Sequence, residues 1–306
     1  MRSEPVLASC LAKNRPGGRI KPVTPHNLAN ILVEPPLWLA LLFSAAFAWV
    51  ARLARWVTLS GALSTFVVGV VVLGLGGGKF LVPLLTFFLS SSLLSRLGQA
   101  RKSAWKQEGG KGSARDAGQV WANGGMAVLL VVVFAVTVHR WPVLKVRSLL
   151  MLYLAALATV NSDTWATEIG GLARSAPRLL TNWRPIAPGA SGAITLAGIL
   201  AAVGGAVIVP LSVLPLWHLD PAEFTSVVWA GFLGSFIDSL LGAGVQAKYR
   251  DPDTGEPVER AKIDGRAMVR VRGLPWVTND VVNFLASAGG VLCAWILLHF
   301  SVYRFY

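Results

Sequence analysis

Eight apolar stretches dominate this chain, at about 36–53, 57–76, 79–96, 119–139, 146–162, 192–217, 225–246 and 279–302. Each is close to the roughly 20 residues that a helix needs to cross a hydrocarbon layer about 30 Å thick. Lipid offers no partners to backbone N–H and C=O groups, so a span must be a helix or part of a closed barrel. No stretch alternates with the two-residue period of a barrel strand. The expected fold class is therefore all-α, a polytopic transmembrane bundle of about eight spans. Composition agrees: only 14% of the 306 residues are charged, and the mean hydropathy is +0.58.

The expected organisation is a polar, disordered tail over 1–33 followed by a single transmembrane domain over 34–306. The tail lacks a signal-peptide apolar core. Three long polar segments, 97–118, 163–190 and 247–277, fall on one face of an eight-span bundle, together with the first short loop and the span ends beside it. That face carries 18 of the 28 Lys and Arg. The positive-inside rule places it in the cytoplasm, in a bacterial inner membrane.

The net charge of +13 has two sources in this reading: orientation and anionic-lipid attraction on one hand, phosphate binding on the other. Nucleic acid is excluded as a partner, because the cations lie on membrane-tethered loops without a recognition motif. Cys10 and Cys293 make no disulfide framework or metal spacing, and His26, His139, His218 and His299 are scattered.

Carboxylates are the informative residues. Asp116, Asp163, Glu168, Asp238 and Asp280 lie within or beside apolar segments. A carboxylate at membrane depth costs several kcal/mol unless it is paired or lines a polar cavity. By contrast, Glu34, Asp220 and Glu223 are expected to be solvated at the opposite interface.

The densest polar segment is Asn161-Ser-Asp-Thr-Trp-Ala-Thr-Glu-Ile-Gly170. On a helix Asp163 shares a face with Thr167, and Thr164 with Glu168. These oxygens suit a hard cation such as Mg²⁺, which is commonly held by one or two carboxylates together with substrate phosphates. A second segment contains Arg178 and Arg184, then Gly189, Ser191 and Gly192 ahead of a new helix. A helix N-terminus offers free N–H groups to phosphate, and the two arginines could clamp further oxygens. A third cluster places Ser235, Asp238, Gly242 and Gln246 on one stripe of an apolar span. In a fourth, Asn279, Asp280 and Asn283 open the last helix, where Asp280 could serve as its cap.

One tempting signal fails. Gly74-Leu-Gly-Gly-Gly-Lys79-Phe80 has Leu73 in place of the first Walker glycine and Phe80 in place of Ser or Thr. A tight interhelical turn is expected there.

Taken together, Asn161–Gly170, Pro177–Thr181, Pro188–Gly192, Gly234–Ala243, and Gln119 with Ala122-Asn123-Gly-Gly125 resemble a multipass membrane family. It is the family that includes transmembrane protein 19 and the plant phytyl-phosphate kinase of vitamin E synthesis. The resemblance covers roughly residues 56–290. The Asp163 segment is also similar to the Gly-Asp-Thr-Ala type of motif in CTP-dependent dolichol and phytol kinases. The chain departs from the family pattern at Trp183-Arg184, where lysine is expected, and at Ala190, where threonine is.

The resemblance implies transfer of a nucleotide phosphoryl group, from CTP or another nucleoside triphosphate, to a polyprenyl or phytyl monophosphate. It implies Mg²⁺ on Asp163 and Glu168, with Asn161 and Asp238 in support. Arg178, Arg184 and the Gly189–Gly192 backbone would hold phosphates. Lys102 and Arg115 would reach in from the preceding loop, with Asn123, Asn279 and Asp280 near by. A CTP-dependent polyprenol kinase or cytidylyltransferase-like enzyme is the nearest alternative, with Asp238 as base. A transporter is the alternative of another class, but the two halves show none of the internal similarity expected of one.

Overall fold

The computed structural model describes residues 35–97, 114–138, 143–173, 175–186, 192–258, 260–263 and 265–303. The N-terminal tail expected over 1–33 lies outside them. Among the described residues seven helices run in chain order: α1 Leu37–Leu53, α2 Leu59–Leu94, α3 Ala117–Thr137, α4 Val143–Gly170, α5 Leu196–Val213, α6 Pro221–Gly244 and α7 Asn279–Tyr303. By length and composition α2, α3, α5, α6 and α7 can each cross a membrane, and α1 is a shorter apolar helix. The protein is a polytopic helical membrane protein, as its apolar pattern predicts.

The helix α2 contains a reversal. A straight helix of 36 residues would separate its ends by about 54 Å. Yet Thr58 N donates to Arg115 O at 2.9 Å, and Arg115 Nη1 donates to Ser92 Oγ at 2.9 Å. Both ends of α2 therefore meet the same residue. The chain doubles back at Gly77, whose φ of 73° and ψ of −174° belong to a region open essentially to glycine alone. The two predicted spans 57–76 and 79–96 are its two limbs, and the glycine run before Lys79 is the expected turn.

The central helix is α4. Tyr153, Leu154, Ala155, Leu157 and Ala158 are fully buried, and small residues on its neighbours let backbones approach. A Cβ on Gly205 of α5 would lie 2.9 Å from Asn161 O, and one on Gly231 of α6 2.7 Å from Ala158 Cβ. The Tyr153 hydroxyl donates to Phe80 O at 2.7 Å, tying α4 to the second limb of α2.

Three expectations change. The span expected to stop at 162 continues to Gly170, so Asn161–Gly170 is the last part of α4 and not the start of a loop. The polar segment 247–277 folds into short strands: β3 Lys248–Arg250 pairs with β4 Pro257–Val258 and β7 Val269–Arg272, and β5 Lys262–Ile263 with β6 Arg266–Ala267. Tyr249, Val258 and Met268 form a small core there. Strands of two to four residues are too short to show a period in the sequence. Glu223 is buried, not solvated: it pairs with the Arg147 guanidinium and closes a capping box with Asp220. A carboxylate at this depth is stabilised by its cation and by the Asp220 N–H together.

Candidate functional site

The polar residues singled out in the sequence collect at one end of the bundle. Asp163, one turn before the Glu168 level of α4, lies within electrostatic reach of Asp238 on α6. With its amide nitrogen turned toward the carboxylate, Asn283 of α7 donates to Asp238 Oδ2 at 3.0 Å and to Asn279 O at 3.2 Å. The Asn283 side chain also meets Asn123 of α3 at 3.3 Å. Four helices thus contribute to one polar cluster, and Asp163, Asp238, Asn283 and Asn123 are all half-buried.

Asp280 stands beside this cluster. A Cβ on Gly118 would come within 2.6 Å of Asp280 Oδ2 and 3.4 Å of Asp116 Oδ1, so glycine permits both carboxylates to approach the start of α3. At the start of α7, Thr278 Oγ1 accepts from Val281 N at 3.4 Å. Asp116 is the cap of α3, in a reciprocal box with Gln119.

Glu168 points elsewhere. Ser95 Oγ, just beyond α2, donates to Glu168 Oε1 at 2.6 Å, and the Glu168 charge acts on Arg115. Burial pushes the Arg115 guanidinium down to about 10, opposed by Glu168, so it remains a cation at neutral pH. The sequence reading paired Asp163 with Glu168 at one metal. Residues five apart stand about 140° apart around a helix at 100° per residue, and Asp163 comes within electrostatic reach of Asp238.

Asn161 also departs from its expected role. It is fully buried, accepts from Ser90 Oγ at 2.9 Å and donates to Gly205 O at 2.8 Å. Both ends of its amide are engaged by protein, so it is a strut between α2, α4 and α5. Ser162 is a similar strut, donating to Ala202 O at 2.8 Å. Thr164 bonds back to Val160 O at 2.8 Å, and Thr167 is exposed at the end of α4.

Arg178 and Arg184 lie on an exposed hairpin. Arg178, in β1 Arg178–Leu179, pairs with Ile194 of β2 Ala193–Ile194, and its Nη1 donates to Trp183 O at 2.9 Å. The backbone closes through Leu179 N to Arg184 O at 2.9 Å. Gly192 joins this hairpin to α6: its φ is +82°, and a Cβ there would stand 2.6 Å from Ala243 Cβ and 2.9 Å from Ser239 O. The hairpin is thereby held one turn from Asp238. Lys102, Gly189 and Ser191 lie outside the described residues.

Among the described residues, no group of three or more His, Cys, Asp and Glu side chains is arranged as a metal site. What exists is a pair of half-buried carboxylates on separate helices. Such a donor set suits Mg²⁺, which keeps several waters and takes its remaining ligands from substrate phosphates. Sequence reasoning missed Ser92 and Ser95 at the end of α2, and Arg55 and Arg96 beside them. A serine-rich end to an apolar span, followed at once by arginine, was the available signal.

Comparison with known proteins places the fold in a family. Residues 42–291 match the family described as Integral membrane protein DUF92. The chain is 31% identical to Protein PGR of Arabidopsis thaliana over 290 residues, covering 87% of this chain and 96% of the relative. It is 30% identical to an uncharacterized membrane protein of Methanocaldococcus jannaschii, covering 69% and 84%. A more distant similarity, 24% identity over 148 residues, links 48% of this chain to 38% of Protein VTE6, chloroplastic, of Arabidopsis thaliana. No solved structure matches.

Proposed function

The chain belongs to the integral membrane protein DUF92 family, and from that premise we propose that it is a membrane-embedded phosphotransferase. It moves the terminal phosphoryl group of a nucleoside triphosphate, CTP or another, to a polyprenyl or phytyl monophosphate and releases the diphosphate. The observation that carries this reading is the polar cluster of four helices, in which Asn283 contacts Asp238 and Asp163 lies within electrostatic reach of it. The resemblance of the same motifs to plant phytyl-phosphate kinase supports it, as does the distant similarity to Protein VTE6. The polar end faces the cytoplasm in this reading, where nucleotides are available.

The chemistry asks little of the protein beyond alignment and charge neutralisation. An acceptor monophosphate with a second pKa near 6 is already a dianionic nucleophile at pH 7. Its oxygen bonds to the γ-phosphorus while the bond from that phosphorus to the β-bridging oxygen breaks, and the nucleoside diphosphate leaves. Asp163 and Asp238 would hold Mg²⁺, which when bound neutralises charge on the triphosphate. Arg184 on the hairpin would orient the nucleotide, while Ser92 holds Arg115 in place and Ser95 holds Glu168.

A polyprenol kinase is the second reading. An alcohol acceptor needs a base, and Asp238 stands at the cluster with Asn283 orienting one oxygen. Purified protein incubated with labelled nucleotides and a panel of prenyl alcohols and monophosphates separates the two. Diphosphate formed only from monophosphates is expected. Monophosphate formed from alcohols would replace the first reading by the second, and no transfer to any acceptor would overturn both.

A further inference from the structure

We infer that the acceptor's phosphate sits among Arg55, Arg96 and Arg115, with its isoprenoid tail in the groove behind Arg115. This deepens the phosphotransferase reading and rests on it for the identity of the acceptor. A cavity of about 560 Å³ opens where α1, α2 and the start of α3 meet, and its polar lining is Arg55, Arg96, Arg115, Ser92 and Ser95. Among the described residues no ion pair neutralises any of the three arginines; the Glu168 charge acts on Arg115. Three guanidiniums in one cavity beside two hydroxyls form a site for a multiply charged oxyanion, since the planar fork of arginine matches phosphate geometry.

Their placement is built by the fold. Arg55 occupies the left-handed position after α1, with φ 56° and Trp56 N bonded to Ala51 O at 2.9 Å. Glycine is the usual residue at such a position. Arg96 is fixed over the Trp56 ring, 5.7 Å from its centroid, and bonded to Ala54 O. Arg115 is held by Ser92 and lies over the Phe87 and Phe88 rings.

Arg115 also lines a second, apolar groove of about 50 Å³ with Phe43, Phe47, Val68, Leu84 and Phe88, and with Gln119 and Asn123. One residue therefore joins a cationic head site to a hydrocarbon groove. A phosphate-headed amphiphile complements both, its head in the cationic cavity and the first carbons of a slender tail in the groove.

Equilibrium binding of a labelled fifteen-carbon prenyl monophosphate to the full chain in phosphatidylcholine nanodiscs, without nucleotide, tests this. Arg55→Gln and Arg96→Gln should each weaken binding by about tenfold or more, and Arg55→Lys by less. Val68→Trp, which fills the groove, should weaken the prenyl phosphate but not inorganic phosphate. Circular dichroism melts of each variant separate loss of the site from loss of the fold. Unchanged affinity in both arginine variants, folded, would overturn the head site. Equal competition by phosphatidic acid would make it a general anionic-lipid site and overturn the acceptor assignment. Because no nucleotide is present, tight, arginine-dependent binding with no turnover would count against the phosphotransferase reading alone.

Discussion

Ser95 Oγ and Glu168 Oε1 stand 2.6 Å apart, across 73 residues of sequence, and this contact separates two acidic sites that a helix-end motif places side by side. One site is Glu168 with Ser95 and Arg115; the other is Asp163 with Asp238 and Asn283. Replacing Glu168 by Gln keeps a hydrogen-bond acceptor for Ser95 and removes the charge opposite Arg115. The expected outcome is a rise in KM for the prenyl phosphate or a fall in kcat of about tenfold, with the protein still folded. Loss of all metal dependence in this variant would return Glu168 to the metal.

Asp163→Asn and Asp238→Asn preserve shape and remove one charge each from the carboxylate pair. Both should lower turnover by at least about a hundredfold, and chelation of divalent cations should abolish it in the wild type. Size-exclusion chromatography should show normal folding of both variants. Near-wild-type activity in either one would remove that residue from the centre.

The exposed arginines offer a contrast in location. Arg184 is carried on the hairpin that Gly192 holds against α6, whereas Arg260 is exposed in the small β region. Arg184→Ala should lower kcat/KM for the nucleotide by about tenfold or more, and Arg260→Ala by less than a few-fold, since a solvated cation contributes little. Equal small effects would make the hairpin an ordinary linker. Arg178→Ala additionally loses the bond to Trp183 O, so its effect should include a lower melting temperature.

Gly192 tests the junction by stability. A side chain there would combine a left-handed backbone with a 2.6 Å approach to Ala243. Gly192→Ala should cost about 1–3 kcal/mol, read as a lower melting temperature in detergent. Gly244→Ala is the control, because nothing lies within 4 Å of its Cβ position. A thermally silent Gly192→Ala would mean that the hairpin is not clamped to α6.

Orientation is tested by labelling. With Cys10 and Cys293 replaced, a single cysteine at exposed Thr254 should react only with a membrane-permeant reagent in intact cells, and one at exposed Leu216 with an impermeant reagent. The reverse pattern would turn the positive-rich end outward.

Local pattern determined a great deal about this protein. Apolar stretches of spanning length specify a helical bundle because lipid enforces internal backbone hydrogen bonding, and a run of glycines ahead of Lys79 marks the reversal at Gly77 because only glycine adopts its backbone angles. The motifs at Asp163, Gly192 and Asp238 likewise fall at one end of the bundle. Tertiary structure alone decided which of those residues face one another. The 140° between Asp163 and Glu168 sends them to different neighbours, and Asn161 became a strut because α5 presents a backbone carbonyl at Gly205. The cavity of Arg55, Arg96 and Arg115 exists only because the limbs of α2 return to the same end, where Thr58 and Ser92 both bond Arg115. Spacing along a chain encodes which residues share a helix face; which face meets which neighbour is settled by packing between helices far apart in sequence.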